Sequence, residues 1–145
     1  MNQLEDKQLE TFDQDYMSPE RWNDIRACID SKFNSGSFNF LDIGGGNGMF
    51  ADRLLKTFPN SKGGVLDNSK LLLEKNTKNE RKKIIYGDIT DEDLHISEKY
   101  DIIFFNWVLH HLVARNNYLK TKSVIRRAIE KSKNMLSPEG RISIF

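Results

Sequence analysis

Asp42, Gly44, Gly46 and Gly48 stand at every second position of the run Phe40-Leu41-Asp42-Ile43-Gly44-Gly45-Gly46-Asn47-Gly48-Met49-Phe50. Glycine lacks a Cβ, so such a loop can turn sharply and let a ligand approach its backbone. A helical pattern follows, and the first amides of a helix have no partner inside the helix. Those amides point toward whatever the loop holds. In an open α/β sheet this is where ligands bind, outside the carboxyl ends of the strands. A dinucleotide fingerprint, G-x-G-x-x-G, fits Gly44 and Gly46 but meets Met49 at its third position. Asp42 at the strand end is a poor neighbour for a pyrophosphate and a good one for a cation or an ammonium group. A turn that is only structural, or a site for another nucleotide, is the competing reading.

Short apolar runs and helical segments must position this loop. Ser18-Pro19-Glu20 predicts a helix start, with a capping serine, proline at the first helical position and an acid at the positive end of the dipole. Trp22, Ile25, Ile29 and Phe33 then share one helical face, and Ser35-Gly36-Ser37 ends the helix. The pattern next predicts a strand over 38–43 and a helix over 49–58, the latter with Phe50, Ala51, Leu54, Leu55 and Phe58 on one side. A strand over 64–67, a helix from Ser69 to about Asn76, and strands over 83–86 and 101–106 follow. A long helix over 117–136 carries Tyr118, Ile125, Ile129 and Leu136 on one face. Ser137-Pro138-Glu139-Gly140 reads as a turn before a last strand, 141–145. Strands alternating with helices mean βαβ units and a parallel sheet. The continuous run Ile102-Ile103-Phe104-Phe105 fits a strand covered on both faces.

On these residues the chain resembles the class I S-adenosylmethionine-dependent methyltransferases of small-molecule type. Asp42 to Gly48 matches their D/E-x-G-x-G-x-G loop at every fixed position. Asp67 lies 19 residues past Gly48, where the family's acidic residue takes the two ribose hydroxyls. Asn68 follows it. Gly87-Asp88-Ile89 stands where the family sets an acid on the adenine amino group and an apolar side chain against the ring. The run from Asp101 through Asn106, Trp107, His110 and His111 resembles the family's fourth-strand motif, whose end lines the transfer site. Leu136-Ser137-Pro138-Glu139-Gly140 resembles its L-x-P-G-G turn, with Glu139 in place of the first glycine. The match covers residues 36–145.

The resemblance implies an α/β, Rossmann-like three-layer α/β/α sandwich with strand order 3-2-1-4-5. It implies a cofactor site made of Asp42, Gly44, Gly45, Gly46, Gly48, Asp67, Asn68, Asp88, Ile89, Asn106 and Trp107. The cofactor would be S-adenosyl-L-methionine and the product S-adenosyl-L-homocysteine. Asp67 capping the next helix, Asp88 as an ordinary turn residue, and Trp107 as core are the plainer alternatives. A hydroxyl or ammonium acceptor needs a base, and His110 or His111 suits that role near pH 7. A His pair that only packs or caps is the alternative. Asn106-Trp107-Val108-Leu109 lacks the N/D-P-P-Y/F/W pattern used on exocyclic amines, and Cys28 lies before the loop, leaving no nucleophile for cytosine C5. A small-molecule acceptor follows. Residues 1–35 would form an arm and helix on the acceptor side, a lid, and residues 36–145 the core. The family completes its sheet with two further strands, so the chain reads as truncated at its C-terminus. A non-catalytic cofactor-binding fragment or subunit is therefore the second reading, and an uncovered fifth strand invites self-association.

Composition agrees with these limits. The 145 residues suit one domain. Lys plus Arg is 22 against 21 Asp plus Glu, which disfavours a nucleic-acid partner held by bulk charge. The near-neutral sum hides an acidic front, Glu5, Asp6, Glu10, Asp13 and Asp15, and a basic late helix with Lys120, Lys122, Arg126, Arg127, Lys131 and Lys133. That basic run is read as a solvated face, with docking of the acidic front as the alternative. One cysteine and three histidines leave no disulfide and no metal site of usual type. The polar first ten residues are not a signal peptide, and the apolar stretch 102–109 is far below the roughly 20 residues of a membrane span. The expected location is cytoplasmic.

Overall fold

The computed structural model describes residues 17–106, 108–112 and 117–145, the side chains of His110 and His111 excepted. The acidic front thus lies outside the described residues. Ser18 caps the first helix, its hydroxyl accepting from the Arg21 amide at 3.2 Å, with Pro19 in the first turn. Helix α1 (Pro19–Lys32) buries Trp22, Ile25 and Ile29. There follow β1 (Asn39–Ile43), α2 (Met49–Thr57), β2 (Lys62–Asp67), α3 (Lys70–Glu74), β3 (Lys82–Tyr86) and β4 (Tyr100–Phe105). A 3-10 turn (Leu109–Leu112), α4 (Tyr118–Asn134) and β5 (Leu136–Ile144) complete the order.

All pairings are parallel and the sheet order is β3-β2-β1-β4-β5, as the resemblance implied. The chain builds outward from central β1, then returns to its other side at β4. Strand order reverses there, so loops leave the β1 and β4 ends in opposite directions and open a crevice between them. Alternation along the strands makes two core layers. Phe40, Ile102 and Phe104 face α1 and α2 with Trp22, Ile25, Leu54 and Leu55. Leu41, Ile43, Ile103 and Phe105 face α4 and the 3-10 turn with Leu112, Ala128 and Met135. Each such apolar side chain removed from water contributes about 1.5–3 kcal/mol. Edge-on rings connect α1 to the sheet, Trp22 against Phe50 and Phe50 against Phe104.

Two expectations need correction. Tyr118 is 78% exposed rather than on the buried face of the long helix. That helix seats itself through the small residues Ala128 and Ser132, which allow close approach, and its first turn leaves Tyr118 and Leu119 in solvent. The final strand also starts earlier. Leu136 already pairs with Tyr100, and the next pairing is Arg141 with Ile102. The predicted turn is therefore a bulge inside β5, tied down where the Ser137 hydroxyl donates to Asp101 Oδ1 at 2.8 Å.

Arg81 closes the far end of α2. Its guanidinium donates to the carbonyl oxygens of Leu55 (2.9 Å), Phe58 (3.3 Å) and Ser61 (2.9 Å). Leu55 lies in the last turn of α2, whose carbonyls have no partner inside the helix and where a cation is also favoured by the dipole. Arg81→Met is expected to lower stability by about 2 kcal/mol in urea unfolding, with the circular dichroism of the folded chain unchanged.

Candidate functional site

Among the described residues, Asp42, the glycine loop, Asp67, Asn68, Asp88, Ile89 and Asn106 lie at or just past the carboxyl ends of β1 to β4. The glycine loop leaves β1, with the Gly44 amide donating to the Leu66 carbonyl at 2.7 Å. Gly44 has φ +71° and Gly48, which precedes α2, has φ +76°. A Cβ on Gly44 would lie 2.4 Å from Val108 Cγ2, and one on Gly48 would lie 1.8 Å from Asn76 Oδ1. Both positions therefore require glycine for conformation and for space.

Asp42 alternates with Leu41 and Ile43, which places its carboxyl on the α2 side, beneath Gly45. It is 1% exposed. Oδ1 accepts from Asn106 Nδ2 at 3.3 Å, while Oδ2 is buried without a hydrogen-bond partner. Burial pushes this carboxyl up to about 7, with the nearby Asp67 charge adding to the rise and the Asn106 bond opposing it. A buried orphan oxygen of this kind calls for a donor or a cation. A Cβ on Gly45 would fall 2.4 Å from Oδ2, so only glycine lets the loop backbone pack directly over the carboxyl.

Asp67 ends β2 and holds two backbone amides, Gly46 on Oδ2 (2.9 Å) and Ser69 on Oδ1 (2.8 Å). Ser69 itself caps α3 through the Leu72 amide, so the helix does not depend on Asp67 for its cap. Each Asp67 oxygen keeps acceptor capacity. Burial raises its carboxyl above the usual range, against the pull of the Ser69 and Gly46 amides. Asp88, past β3, accepts from Thr90 through its amide (2.8 Å) and hydroxyl (2.7 Å) and from Asn68 Nδ2 (3.3 Å). Ile89 is 1% exposed and packs in the α4-side core. Among the described residues the ion pairs involve neither Asp42 nor Asp67. A crevice floored by two buried carboxyls would repel a pyrophosphate and suits a ligand rich in hydroxyl and ammonium donors.

Asn106 reaches this group from β4. Trp107 lies outside the described residues. His110 and His111 sit in the 3-10 turn after β4, and their side chains likewise lie outside them. Sequence reasoning missed Asn76, whose Nδ2 donates to the Gly46 carbonyl at 2.8 Å. It also missed Lys82, whose side chain is fully buried and pairs with Asp52 at 2.6 Å. Lys82-Lys83 in a short strand reads as a solvated pair, and nothing in the spacing marks one of them as buried.

A family model described as a methyltransferase domain matches residues 41–142. The malonyl-[acyl-carrier protein] O-methyltransferase 1 of Ilyobacter polytropus is 35% identical over 79 residues, 49% of this chain and 29% of that protein. The O-methyltransferase verK of Clonostachys rogersoniana is 30% identical over 112 residues, 72% of this chain and 26% of that protein. The matched region thus spans under a third of either relative. A sugar N-methyltransferase of Streptoalloteichus sp has the same fold, with TM-score 0.70 and 16% identity over 99% of this chain and 53% of its own. So does the N-methyltransferase NodS of Bradyrhizobium japonicum, solved with S-adenosyl-L-homocysteine, with TM-score 0.68 and 20% identity over 95% of this chain and 70% of its own.

Proposed function

The chain belongs to the methyltransferase domain family, and on that premise we propose that it binds S-adenosyl-L-methionine and methylates a small-molecule acceptor. The observation that supports this most is the set of acceptors around the glycine loop, with an orphaned Asp42 oxygen beneath it. The residues fit such a ligand. Asp42 suits an ammonium group, Asp67 the two ribose hydroxyls, and Asp88 with Asn68 an amino group on the base. The glycines of the loop, Gly44, Gly45, Gly46 and Gly48, present their backbone to that ligand, and Ile89, Asn106 and Trp107 belong to the same proposed set.

When bound, the cofactor supplies an electrophilic sulfonium methyl group. The chain's own part is to hold, orient and dehydrate, since alignment carries much of the rate in such transfers. For a hydroxyl or ammonium acceptor a proton must leave, and His110 or His111, placed after β4, is the proposed base. Residues 36–145 are the cofactor-binding core in this reading. Residues 1–35 are proposed as the acceptor-side segment; within it α1 packs on α2 through Trp22 and Phe50. A cytoplasmic location belongs to the same proposal. Among the described residues no helix is long and apolar enough to cross a membrane. Cys28 is a free thiol. Self-association through β5, an edge strand with Ile144 exposed, is proposed with it and is tested by sedimentation equilibrium.

Calorimetry with S-adenosylmethionine, S-adenosylhomocysteine and NAD tests the reading. Binding of both adenosyl ligands and not of NAD is expected, and failure to bind either adenosyl ligand overturns it. Asp67→Ala is expected to weaken that binding by about 1–3 kcal/mol. An unchanged affinity removes Asp67 from the site.

A further inference from the structure

We propose that Asn76 is a positioning residue for the glycine loop, holding Gly46 and Gly48 in the arrangement that receives the adenosyl ligand; this rests on the cofactor reading above. Asn76 follows α3 and is anchored there, its own amide donating to the Leu73 carbonyl at 3.1 Å. Its Nδ2 also reaches the Leu73 carbonyl at 3.1 Å and crosses to the Gly46 carbonyl at 2.8 Å. The Gly46 amide is held from the other side by Asp67 Oδ2. Both polar groups of Gly46 are thus fixed by partners 21 and 30 positions away in the chain, and its left-handed backbone, φ +51°, has no freedom to swing.

The other end of the same carboxamide fills the space over Gly48. Its Oδ1 stands 1.8 Å from where a Cβ would sit, buried and without a hydrogen-bond partner. Lys82 Nζ lies 3.2 Å from that same point. The ammonium pairs with Asp52 Oδ1 at 2.6 Å and reaches the Thr77 hydroxyl at 3.2 Å, and that hydroxyl donates to Asp52 Oδ2 at 2.7 Å. Asp52 belongs to the first turn of α2, and its amide is bonded to the Gly48 carbonyl at 2.9 Å. Asn76, Thr77, Lys82 and Asp52 therefore form a brace under the loop, connecting the start of α2 to β3. A loop held in its binding shape loses less conformational freedom when a ligand arrives, so the brace acts on affinity through the loop.

Two variants and two readouts test this. Asn76→Asp turns the donor facing the Gly46 carbonyl into a repelling oxygen, and Asn76→Ala removes the side chain. Amide hydrogen exchange of residues 44–48 is followed in the ligand-free chain, with the β4 amides as the measure of global opening. Affinity for S-adenosylhomocysteine is measured by calorimetry well below each variant's melting temperature. Both variants are expected to exchange faster in the loop than wild type and to bind about tenfold more weakly, with β4 protection little changed. Loop exchange at the wild-type rate in Asn76→Ala overturns the proposal, as does an unchanged affinity in a variant whose wild-type parent binds. A merely structural role would lower β4 protection along with the loop and leave the affinity of the folded chain intact. Should wild type not bind the ligand, the cofactor reading fails by itself, and loop exchange alone decides the role of Asn76. If Asn76→Asp does not fold, Asn76→Ala carries the test.

Discussion

Asp42→Asn is expected to stabilise the ligand-free chain above pH 7 and to weaken adenosyl binding at the same time. The carboxyl ionises near 3.9 in the unfolded chain and near 7 in the fold, where burial holds it neutral. Between those values the native state keeps a proton that the unfolded state has lost. Stability then falls as pH rises, by up to about 1.4 kcal/mol per unit. The contribution is fully present below about pH 4 and is lost by the time pH passes about 7. Above that the native carboxylate is charged and buried, and no ion pair among the described residues involves it. Asparagine has the same shape and no charge, so at pH 8 it is expected to add about 2–4 kcal/mol. For a chain of this size that raises Tm by roughly 10 °C. Wild type should lose stability from pH 5 to pH 8, and the variant should hold nearly level. The ligand's ammonium group favours the ionised carboxylate, so wild-type affinity should improve as pH rises toward 7 and then level off. The variant should bind about 30-fold or more weakly and lose that pH dependence. Thermal melts and calorimetry across this range decide the matter. A lower Tm for Asp42→Asn at pH 8, or an unchanged affinity, would remove Asp42 from the role given to it.

The second large effect is expected at Gly44. Alanine there must adopt φ +71° with its Cβ 2.4 Å from Val108 Cγ2 and 2.7 Å from Val108 Cβ. Neither the loop nor Val108, buried beside β4, can yield without opening the crevice. Gly44→Ala is expected to cost about 3 kcal/mol or more and to abolish adenosyl binding. Gly36→Ala supplies the control. Gly36 has a similar backbone, φ +63°, but its nearest contact for a Cβ is Phe58 Cδ1 at an ordinary 3.6 Å. It lies at the opposite end of the sheet, and its replacement should cost about 1 kcal/mol with binding unchanged. Urea unfolding and calorimetry on the pair separate backbone strain from the close approach of Val108. Equal losses in the two variants would show that the contact with Val108 does not matter.

Much of this was legible in the residues. The Ser18-Pro19-Glu20 start, the helical face of Trp22, Ile25 and Ile29, and the apolar strands depend on neighbours within a turn or a pleat. Their periodicity reports them directly. The glycine loop was legible for the same reason. The left-handed backbone at Gly44 and Gly48 is a local demand, and glycine is the residue that meets it without strain. The order of the acids, Asp42 and Asp67 near the ends of strands and Asp88 just past one, marks the proposed ligand end of the sheet in the sequence itself.

Other features followed from packing alone. Tyr118 fits the apolar face of its helix by spacing, yet the face that docks is chosen by the small Ala128 and Ser132, which let the helix approach the sheet. The predicted turn at 137–140 became a bulge because Leu136 found a partner in Tyr100 before the strand resumed. Lys82 looks like a solvent-facing residue and is buried, because Asp52 on another element neutralises it. Asn76 clasps a glycine 30 positions earlier in the chain, a distance over which no periodicity operates. Local conformational preference settled where this chain bends, coils and extends, and so where the proposed ligand end lies. The protonation of Asp42 and the bracing of the loop were decided by the tertiary structure. Both depend on water being excluded and on partners that only the folded sheet brings together.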